Sequence, residues 1–595
     1  MFDWKCRFHV SQFPWSEVAQ KRPDRGLAVI GKDLAAWDLK TGELRPLVHR
    51  AHGVVLFAVN RMIDPLGRWV YYLNDDQGNE VGHLARVPFE GGESLDLTTQ
   101  LPAYTIVGLS TCGEGKTIAL NTACGEGYSL RTIDAESLET KLVYRAQREF
   151  IKSRISADGK LLAVMSTEKT GRRHYAVRVF DSDGSDGAQL WDGPGSNFWL
   201  TAFSPVASDR TILASGLKGG RRIPLLWNSL TDERDWLDIK DGEVTPLDWS
   251  ADGRLLLLSR FFNGEQTLLT YDLTQQSVSE IDHLHGAFGE YGGSYARYAY
   301  FGPDDTVYAH RQDSQTPLRL ESYGEKTHVL LGEEPPPARP WKNVNFESSD
   351  GTSLQAWLAQ PEGDGPFPTI LSIHGGPHLV MTEVFCPAAQ AWLDNGFAFL
   401  SLNYRGSTTF GCRFQEMIWG NLGHYELEDL VAARNFLVEQ AKADPGAIFL
   451  NGESYGGFLT LWGLAKRPDL WAGGMAGVAL TDWTETYRDA SAALQGAFRN
   501  WFGGSPEEVG ERYHNSSPIN FVSDIQAPVL LLQGKNDSRT PPRQARLFEQ
   551  KMREAGKRIQ LEWFDGGHAM EADTKVRWQQ LMLNFTRNIL APTTK

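Results

Sequence analysis

The sequence predicts two domains of different class, an all-β array of repeats followed by a mostly parallel α/β sheet. Three observations carry this reading. A turn phrase leading into an apolar, β-rich run recurs at a regular interval through the first half. Four prolines within residues 335–340 then break the pattern, because such a stretch extends neither a sheet interior nor a helix. Beyond it, short apolar runs alternate with helical patterns.

The repeats come first. Asp64-Pro65-Leu66-Gly67, Gly113-Glu114-Gly115, Ser156-Ala157-Asp158-Gly159, Ser204-Pro205, Ser250-Ala251-Asp252-Gly253 and Gly302-Pro303-Asp304-Asp305 each precede a strand-like run. Gly67, Gly159 and Gly253 are spaced by about 93 residues, two repeats of about 46, the length of a four-stranded propeller blade. About seven such repeats fit into the first half. Residues 28–48 read as a seventh, incomplete blade of two strands around Lys40-Thr41-Gly42. The expected division is an N-terminal extension over 1–24 packing on the second domain, a seven-bladed propeller over 25–334, a stiff linker over 335–340 and an α/β domain over 341–595.

In the second domain, residues 369–373, 398–402, 448–450 and 529–532 read as buried strands. Residues 426–442 read as an amphipathic helix with Leu427, Leu430, Val431, Arg434 and Leu437 on one side, closed by Asp444-Pro445-Gly446.

Composition narrows the partners. Lys and Arg number 59 against 74 Asp and Glu, a net charge of −15. That balance opposes nucleic-acid binding and gives no pull toward anionic membranes. No run is long and apolar enough for a transmembrane helix. Five cysteines at 6, 112, 124, 386 and 412 form no CxxC pair, which reads as reduced thiols in a cytoplasmic protein.

The chemistry lies in the second domain. Gly452-Glu453-Ser454-Tyr455-Gly456 follows a buried strand and opens a helix. Small residues there allow a sharp strand-to-helix turn that lifts Ser454 above the sheet edge. A serine nucleophile needs a base, and the base needs an orienting carboxylate. In the chain order Ser, Asp, His that belongs to an α/β-hydrolase domain, Asp537 follows the strand 529–532, and His568 follows the last strand through Gly566-Gly567. His514 in a polar surface loop, His424 as a capping or solvent-facing residue and Asp565 as a turn former are poorer candidates. The backbone N–H of Tyr455 is one expected oxyanion donor, and that of Gly376 in His374-Gly375-Gly376-Pro377 the other, with Gly375 next. His374 and His378 lack a third ligand at metal-like spacing, so no metal and no cofactor are expected, and His374 is read as a hydrogen-bonder beneath the turn.

These residues, in this order behind a propeller, resemble the prolyl oligopeptidase family of serine peptidases, its acylaminoacyl peptidase branch above all. The phrases that carry the resemblance are His374-Gly375-Gly376-Pro377, Asn403-Tyr404-Arg405-Gly406-Ser407-Thr408, Gly452-Glu453-Ser454-Tyr455-Gly456-Gly457, Thr481-Asp482-Trp483, Ser517-Pro518-Ile519, Asn536-Asp537-Ser538-Arg539-Thr540-Pro541 and Gly567-His568. The chain departs from the family where Thr409-Phe410-Gly411 replaces Gly-Tyr-Gly and where Phe498–Gly503 is shorter. The resemblance implies a propeller capping the hydrolase domain, an active site between them and exclusion of large folded substrates. It implies Arg539 as a substrate-carbonyl or acyl-group binder, with a loop-bracing salt bridge as the other reading. It makes Arg405 a support beneath the site. Trp483, Tyr487, Phe498 and Trp501 are the implied apolar pocket, and a homo-oligomer, a dimer first, the implied assembly. The expected activity is hydrolysis of short peptides, releasing N-acylated amino acids or small N-terminal units. An esterase or amidase acting on a small molecule, such as a biosynthetic intermediate or antibiotic, shares the triad. So does a dipeptidyl aminopeptidase, although no glutamate pair for a free N-terminus is evident in the propeller.

Overall fold

The computed structural model describes residues 3–30, 33–49, 61–76, 79–171, 174–289 and 297–591. Each Ser-x-Asp-Gly phrase becomes a tight turn. The Ser156 hydroxyl donates to Asp158 Oδ1 (2.7 Å) and accepts from the Leu161 N–H (2.9 Å). Gly159 takes φ 76°, a left-handed conformation that only glycine adopts without cost. Ser250, Asp252 and Leu255 repeat the arrangement at 2.6 and 2.8 Å. From each turn the chain enters a strand buried between neighbouring blades, as with Leu162, Ala163 and Val164.

Seven antiparallel sheets result, six of four strands and the last of five. The seven-bladed expectation therefore holds, but the first blade differs from its expected form. It has four strands, Ser16–Ala19, Arg22–Ile30, Asp33–Asp38 and Leu44–His49, and begins nine residues before the boundary at 25. Its second strand escapes a hydrophobicity pattern because the opening Arg22-Pro23 is exposed and only the later residues are buried. Residues 31 and 32 of the expected two-strand unit lie outside the described residues.

Among the described residues, blades 1 and 7 share no strand. Packing closes the ring instead: Phe13, Ala28 and Trp37 meet Tyr300, Tyr308, Leu320 and Leu331 in one buried cluster. Within it, His310 Nδ1–H donates to the Phe13 carbonyl (2.6 Å), and His310 Nε2 pairs with the Ser16 hydroxyl (3.0 Å). Ser16 Oγ also meets Tyr300 OH (2.7 Å). Because the carbonyl can only accept, the ring is neutral at Nε2. Burial holds the His310 pKa down to about 4.

The second domain carries one sheet of eight strands: β1 (Lys342–Glu347), β2 (Ser353–Ala359), β3 (Phe367–Ile373), β4 (Ala398–Asn403), β5 (Ala443–Glu453), β6 (Gly473–Gly477), β7 (Val529–Gly534) and β8 (Ile559–Phe564). Their order is β1-β2-β4-β3-β5-β6-β7-β8, with antiparallel pairing only at β1–β2 and β2–β4. Strand β6, Gly-Gly-Met-Ala-Gly, has no β signature. Its glycines are there for space, since a Cβ on Gly474 would lie 2.5 Å from Leu464 Cδ1. The expected helix spans His424–Gln440, and Asp444-Pro445-Gly446 falls inside β5. Its buried face is Glu426, Asp429, Leu430, Ala433, Phe436 and Leu437 rather than the Leu427–Val431–Arg434 side. Two acids turn inward because each meets a buried partner, Glu426 the Tyr455 hydroxyl and Asp429 the Arg405 guanidinium.

The domains touch at several places. The 3-10 helix Trp4–His9 docks on the second domain, with Arg7 paired to Asp394 and Trp4 against its core. The proline-rich segment is tethered rather than free: Arg339 N–H donates to Gln390 Oε1 and Gln390 Nε2 to the Arg339 carbonyl, both at 2.8 Å.

The neutral His310 generates a prediction. The unfolded chain takes up its proton near pH 6.5, whereas the folded chain resists until about 4. Folded stability from this site is therefore complete above 6.5 and falls on acidification, by up to about 1.4 kcal/mol per pH unit. Melting curves of wild type and His310→Asn should show a stability advantage of wild type at pH 7.5 that shrinks steadily toward pH 5. An advantage independent of pH contradicts the neutral-ring assignment.

Candidate active site

Ser454 sits between the end of β5 and the helix Tyr455–Lys466, with φ 56° and ψ −120°. A non-glycine residue at positive φ costs on the order of 1–3 kcal/mol, so the surroundings must enforce it. They do so by close backbone approach. A Cβ on Gly456 would lie 2.1 Å from the Ile373 carbonyl, and one on Gly452 would lie 2.5 Å from Gly456 itself. Only hydrogen fits at both positions, so the helix N-terminus is drawn against the end of β3. The Ser454 N–H donates to the Gly477 carbonyl on β6 (2.9 Å). Tyr455, the first residue of the helix, has a backbone N–H with no intrahelical partner.

The loop after β3 lies over this turn: a Cβ on Gly375 would be 3.5 Å from Ser454 Cβ. Gly376 has φ 123°. Beneath, His374 Nδ1–H donates to the Gly375 carbonyl (2.7 Å), while Nε2 meets the Ser407 hydroxyl (2.9 Å). Burial lowers the His374 pKa to about 4, and the ring stacks on Tyr404 at 4.3 Å. His378 accepts from Trp419 Nε1–H and donates to the Gly406 carbonyl. Both histidines are thus built into loop packing, and no metal-ligand cluster exists among the described residues.

Asp537 follows β7 and is buried. Its carboxylate accepts from His568 Nδ1 at 2.9 and 3.0 Å, from the N–H groups of Arg539 and Thr540 at 2.9 Å each, and from the Thr540 hydroxyl at 2.6 Å. Burial alone would raise its pKa. The His568 charge and these hydrogen bonds outweigh it and hold Asp537 below the usual carboxylate range. The two loops meet because Gly534 has no side chain: a Cβ there would lie 2.3 Å from the Gly567 carbonyl. With Nδ1 donating to Asp537, His568 keeps Nε2 as its basic nitrogen. The His568 charge also acts on Glu453, the residue before Ser454. The fold thus pairs Asp537 with His568 at the ends of β7 and β8, and places Ser454 at the end of β5 in the same sheet.

Other expected residues have definite places. Trp483 and Trp501 flank Tyr455 at 5.9 and 6.1 Å, and Phe498 contacts both at 5.5 Å. Tyr487 lies farther out, against Tyr513 at 6.0 Å. All four are buried. Arg539, expected to face substrate, instead forms a two-pronged pair with Glu80 of the propeller at 2.7 and 2.9 Å. The partner carboxylate reaches across the domain boundary, so the guanidinium's Nε edge is already engaged. Arg405 is fully buried and holds Asp429, Asp350 and Glu428. His514 is a helix residue hydrogen-bonded to Asn520, not a loop residue. His424 is half exposed beside Glu428, and Asp565 is an exposed partner of Lys535.

Sequence reasoning missed three supports. Glu426 anchors the Tyr455 hydroxyl at 2.6 Å, and burial raises its pKa to about 7. Thr540 holds Asp537 and lies inside a quoted phrase, two residues after Ser538, so it was within reach. Glu80 lies in a propeller loop without any motif.

Residues 384–593 match the model of the prolyl oligopeptidase family. The uncharacterized peptidase YuxL of Bacillus subtilis is 25% identical over 250 residues, covering 41% of this chain and 38% of that protein. The acylamino-acid-releasing enzyme 2 of Oryza sativa subsp. japonica is 28% identical over 239 residues, 38% of this chain and 30% of its own. The matches therefore span only about a third of these relatives' lengths. Among solved structures, a Mycobacterium tuberculosis puromycin-hydrolyzing peptidase superposes with a TM-score of 0.81 at 18% identity, over 99% of this chain and 96% of the other. Sequence similarity is thus concentrated on the second domain, whose residues 384–593 match the prolyl oligopeptidase family, while the fold of the puromycin-hydrolyzing peptidase extends over both domains of this chain.

Proposed function

We propose that the protein is a serine peptidase that hydrolyses short peptides through an acyl-enzyme, releasing N-acylated amino acids or small N-terminal units. The observation that carries the proposal is the Asp537–His568 pair, in a sheet that also holds a serine on a strained strand-to-helix turn. In this reading His568 Nε2 takes the proton of Ser454 as Oγ attacks the carbonyl, then returns it to the leaving amine. Asp537 fixes the tautomer and stabilises the imidazolium. The N–H groups of Tyr455 and Gly376 hold the oxyanion. Trp501, Trp483 and Phe498, clustered around Tyr455, form the wall against which an apolar side chain would rest, with Tyr487 behind.

Short substrates suit the contacts that close the domains. The Asp537 loop is tied to blade 2 through Asn536 to the Asp76 carbonyl, Ser538 to the Asn79 carbonyl, and Arg539 to Glu80. On another side Gly411 N–H donates to Glu243, Cys412 N–H to the Gly220 carbonyl, and His174 pairs with Glu416. Domains tied together on two sides favour a short peptide over a folded protein as substrate. The relatives include an enzyme named for releasing acylated amino acids, which favours an acylated substrate. No helix among the described residues is long and apolar enough to cross a membrane.

Ser454→Ala should lower kcat by a factor on the order of 10⁶, and Asp537→Asn by about 10⁴ with the fold intact. Stopped-flow or steady-state assays check both, and near-normal turnover by either variant removes the assignment. Substrate class is read by comparing kcat/KM for acetyl-amino-acid anilides, free-amine dipeptide anilides and p-nitrophenyl esters. The proposal expects the acetylated anilides to lead the free-amine ones. Ester turnover without any peptide-like turnover would turn the reading into a small-molecule esterase, and a lead for the free-amine substrates into a dipeptidyl aminopeptidase.

A further inference from the structure

Among the described residues, three cations in the propeller have no carboxylate within ion-pair distance, although Glu17 acts on Arg154 and Glu243 on Arg222 from farther off. Lys152 and Arg154 lie on the inner strand of blade 4, Phe150–Ile155, and Arg222 on Arg221–Asn228 of blade 5. Pairing with the next strand slips between Ile151 and Arg154, leaving an extra residue in the inner strand. Lys152 sits in that bulge with φ 59°, a strained backbone for a long side chain. Arg154 donates only to the carbonyls of Thr201 and Ser153. Arg222 lies 4.2 Å over the Trp199 ring, near the Asn197 carbonyl and the Ser215 hydroxyl. Among the described residues, none of the three has a carboxylate within ion-pair distance, and the Lys152 ammonium makes no hydrogen bond.

That is unusual, because charges enclosed by protein are normally paired. The inner strands on either side, Thr105–Thr111 and Trp199–Phe203, contribute no charged side chain. Arg154 and Arg222 are the charged groups that act on Lys152, and burial together with their repulsion lowers its pKa to about 7. Glu243 and Glu416 act on Arg222, and Glu17 and Arg297 on Arg154, all from beyond ion-pair distance, and the Glu243 carboxylate also accepts the Gly411 N–H.

Neighbouring residues tie this part of the propeller to the second domain. Glu149, three residues before Lys152, accepts from Asn500 Nδ2 at 2.7 Å, and Asn500 adjoins Trp501, which packs on Tyr455. Arg222 lies close enough to the second domain for Cys412 and Glu416 to act on it. Lys152 lies on an inner strand of the propeller and is partly exposed.

We propose that Lys152, supported by Arg154 and Arg222, is an anion subsite that binds a carboxylate of the short peptide held at Ser454. The subsite rests on the peptidase reading above. It would give the enzyme a preference for peptides that end, or carry an acidic side chain, within reach of blade 4. A neutral or amidated chain would leave the three cations uncompensated.

Equilibrium binding to the full-length Ser454→Ala protein reads the subsite without turnover. Titration with acetyl-trialanine as the free acid, as its amide, and as an amide carrying one glutamate separates the terminal carboxylate from a side-chain carboxylate. At pH 6 at least one acid-bearing peptide should bind about tenfold or more tightly than the neutral amide. The preference should narrow at pH 8.5, where Lys152 has lost its proton. Adding Lys152→Gln should abolish the pH-dependent part, and Lys152→Arg should retain the preference at both pH values. Equal binding of all three peptides, or an undiminished preference in Lys152→Gln with its melting temperature unchanged, overturns the subsite. Wild-type turnover of acetylated anilides is a separate readout: its absence overturns the peptidase reading while the binding result still decides the subsite.

Discussion

The site depends on one close approach, the backbone of the Ser454 turn against the end of β3. The left-handed serine is tolerable only because Gly452 and Gly456 let the chain pack against the Ile373 carbonyl. From that contact follow the position of Oγ, the direction of the following helix and the place of the Tyr455 N–H. The same turn rests on a buried support. Tyr455 reaches Glu426, Tyr404 donates to the His374 carbonyl, and His374 braces the Gly375 loop. Nucleophile and both expected oxyanion donors therefore share one packed unit, which suits a mechanism that needs fixed dipoles rather than mobile ones.

The partner residues are held by a second close approach, Gly534 against Gly567, which brings the β7 and β8 loops together. Asp537 is over-determined by its hydrogen bonds, so its charge and orientation are settled before any substrate arrives. The loop that carries it is also bound to blade 2 through Asn536, Ser538 and Arg539. Separation of the domains on this side would disturb Asp537 directly. Access and the proposed catalytic geometry are thereby coupled through the four residues 536–539.

The proposed catalytic set was legible because each member follows an apolar strand and is flanked by glycine or another small turn residue. Blades were legible through Ser-x-Asp-Gly turns, whose hydrogen bonds are local and repeat with the sequence. What escaped depends on distant partners. The buried acids of His424–Gln440 look like a solvent face until Arg405 and Tyr455 are placed against them. Strand β6 has glycine at three of its five positions because its neighbours fill the space. Glu80 redirects Arg539 from substrate to the propeller, and nothing in its own sequence neighbourhood marks it. Lys152 likewise looks like an ordinary strand lysine until Arg154 and Arg222 are seen beside it.

The central claim, that Ser454 is the nucleophile activated by His568, is tested most directly by peptide mass spectrometry after reaction with a fluorophosphonate. The account predicts a single adduct on the peptide containing Ser454, formed rapidly in wild type and lost in folded His568→Ala protein. An adduct on another serine, or labelling of Ser454 at the same rate without His568, would contradict it.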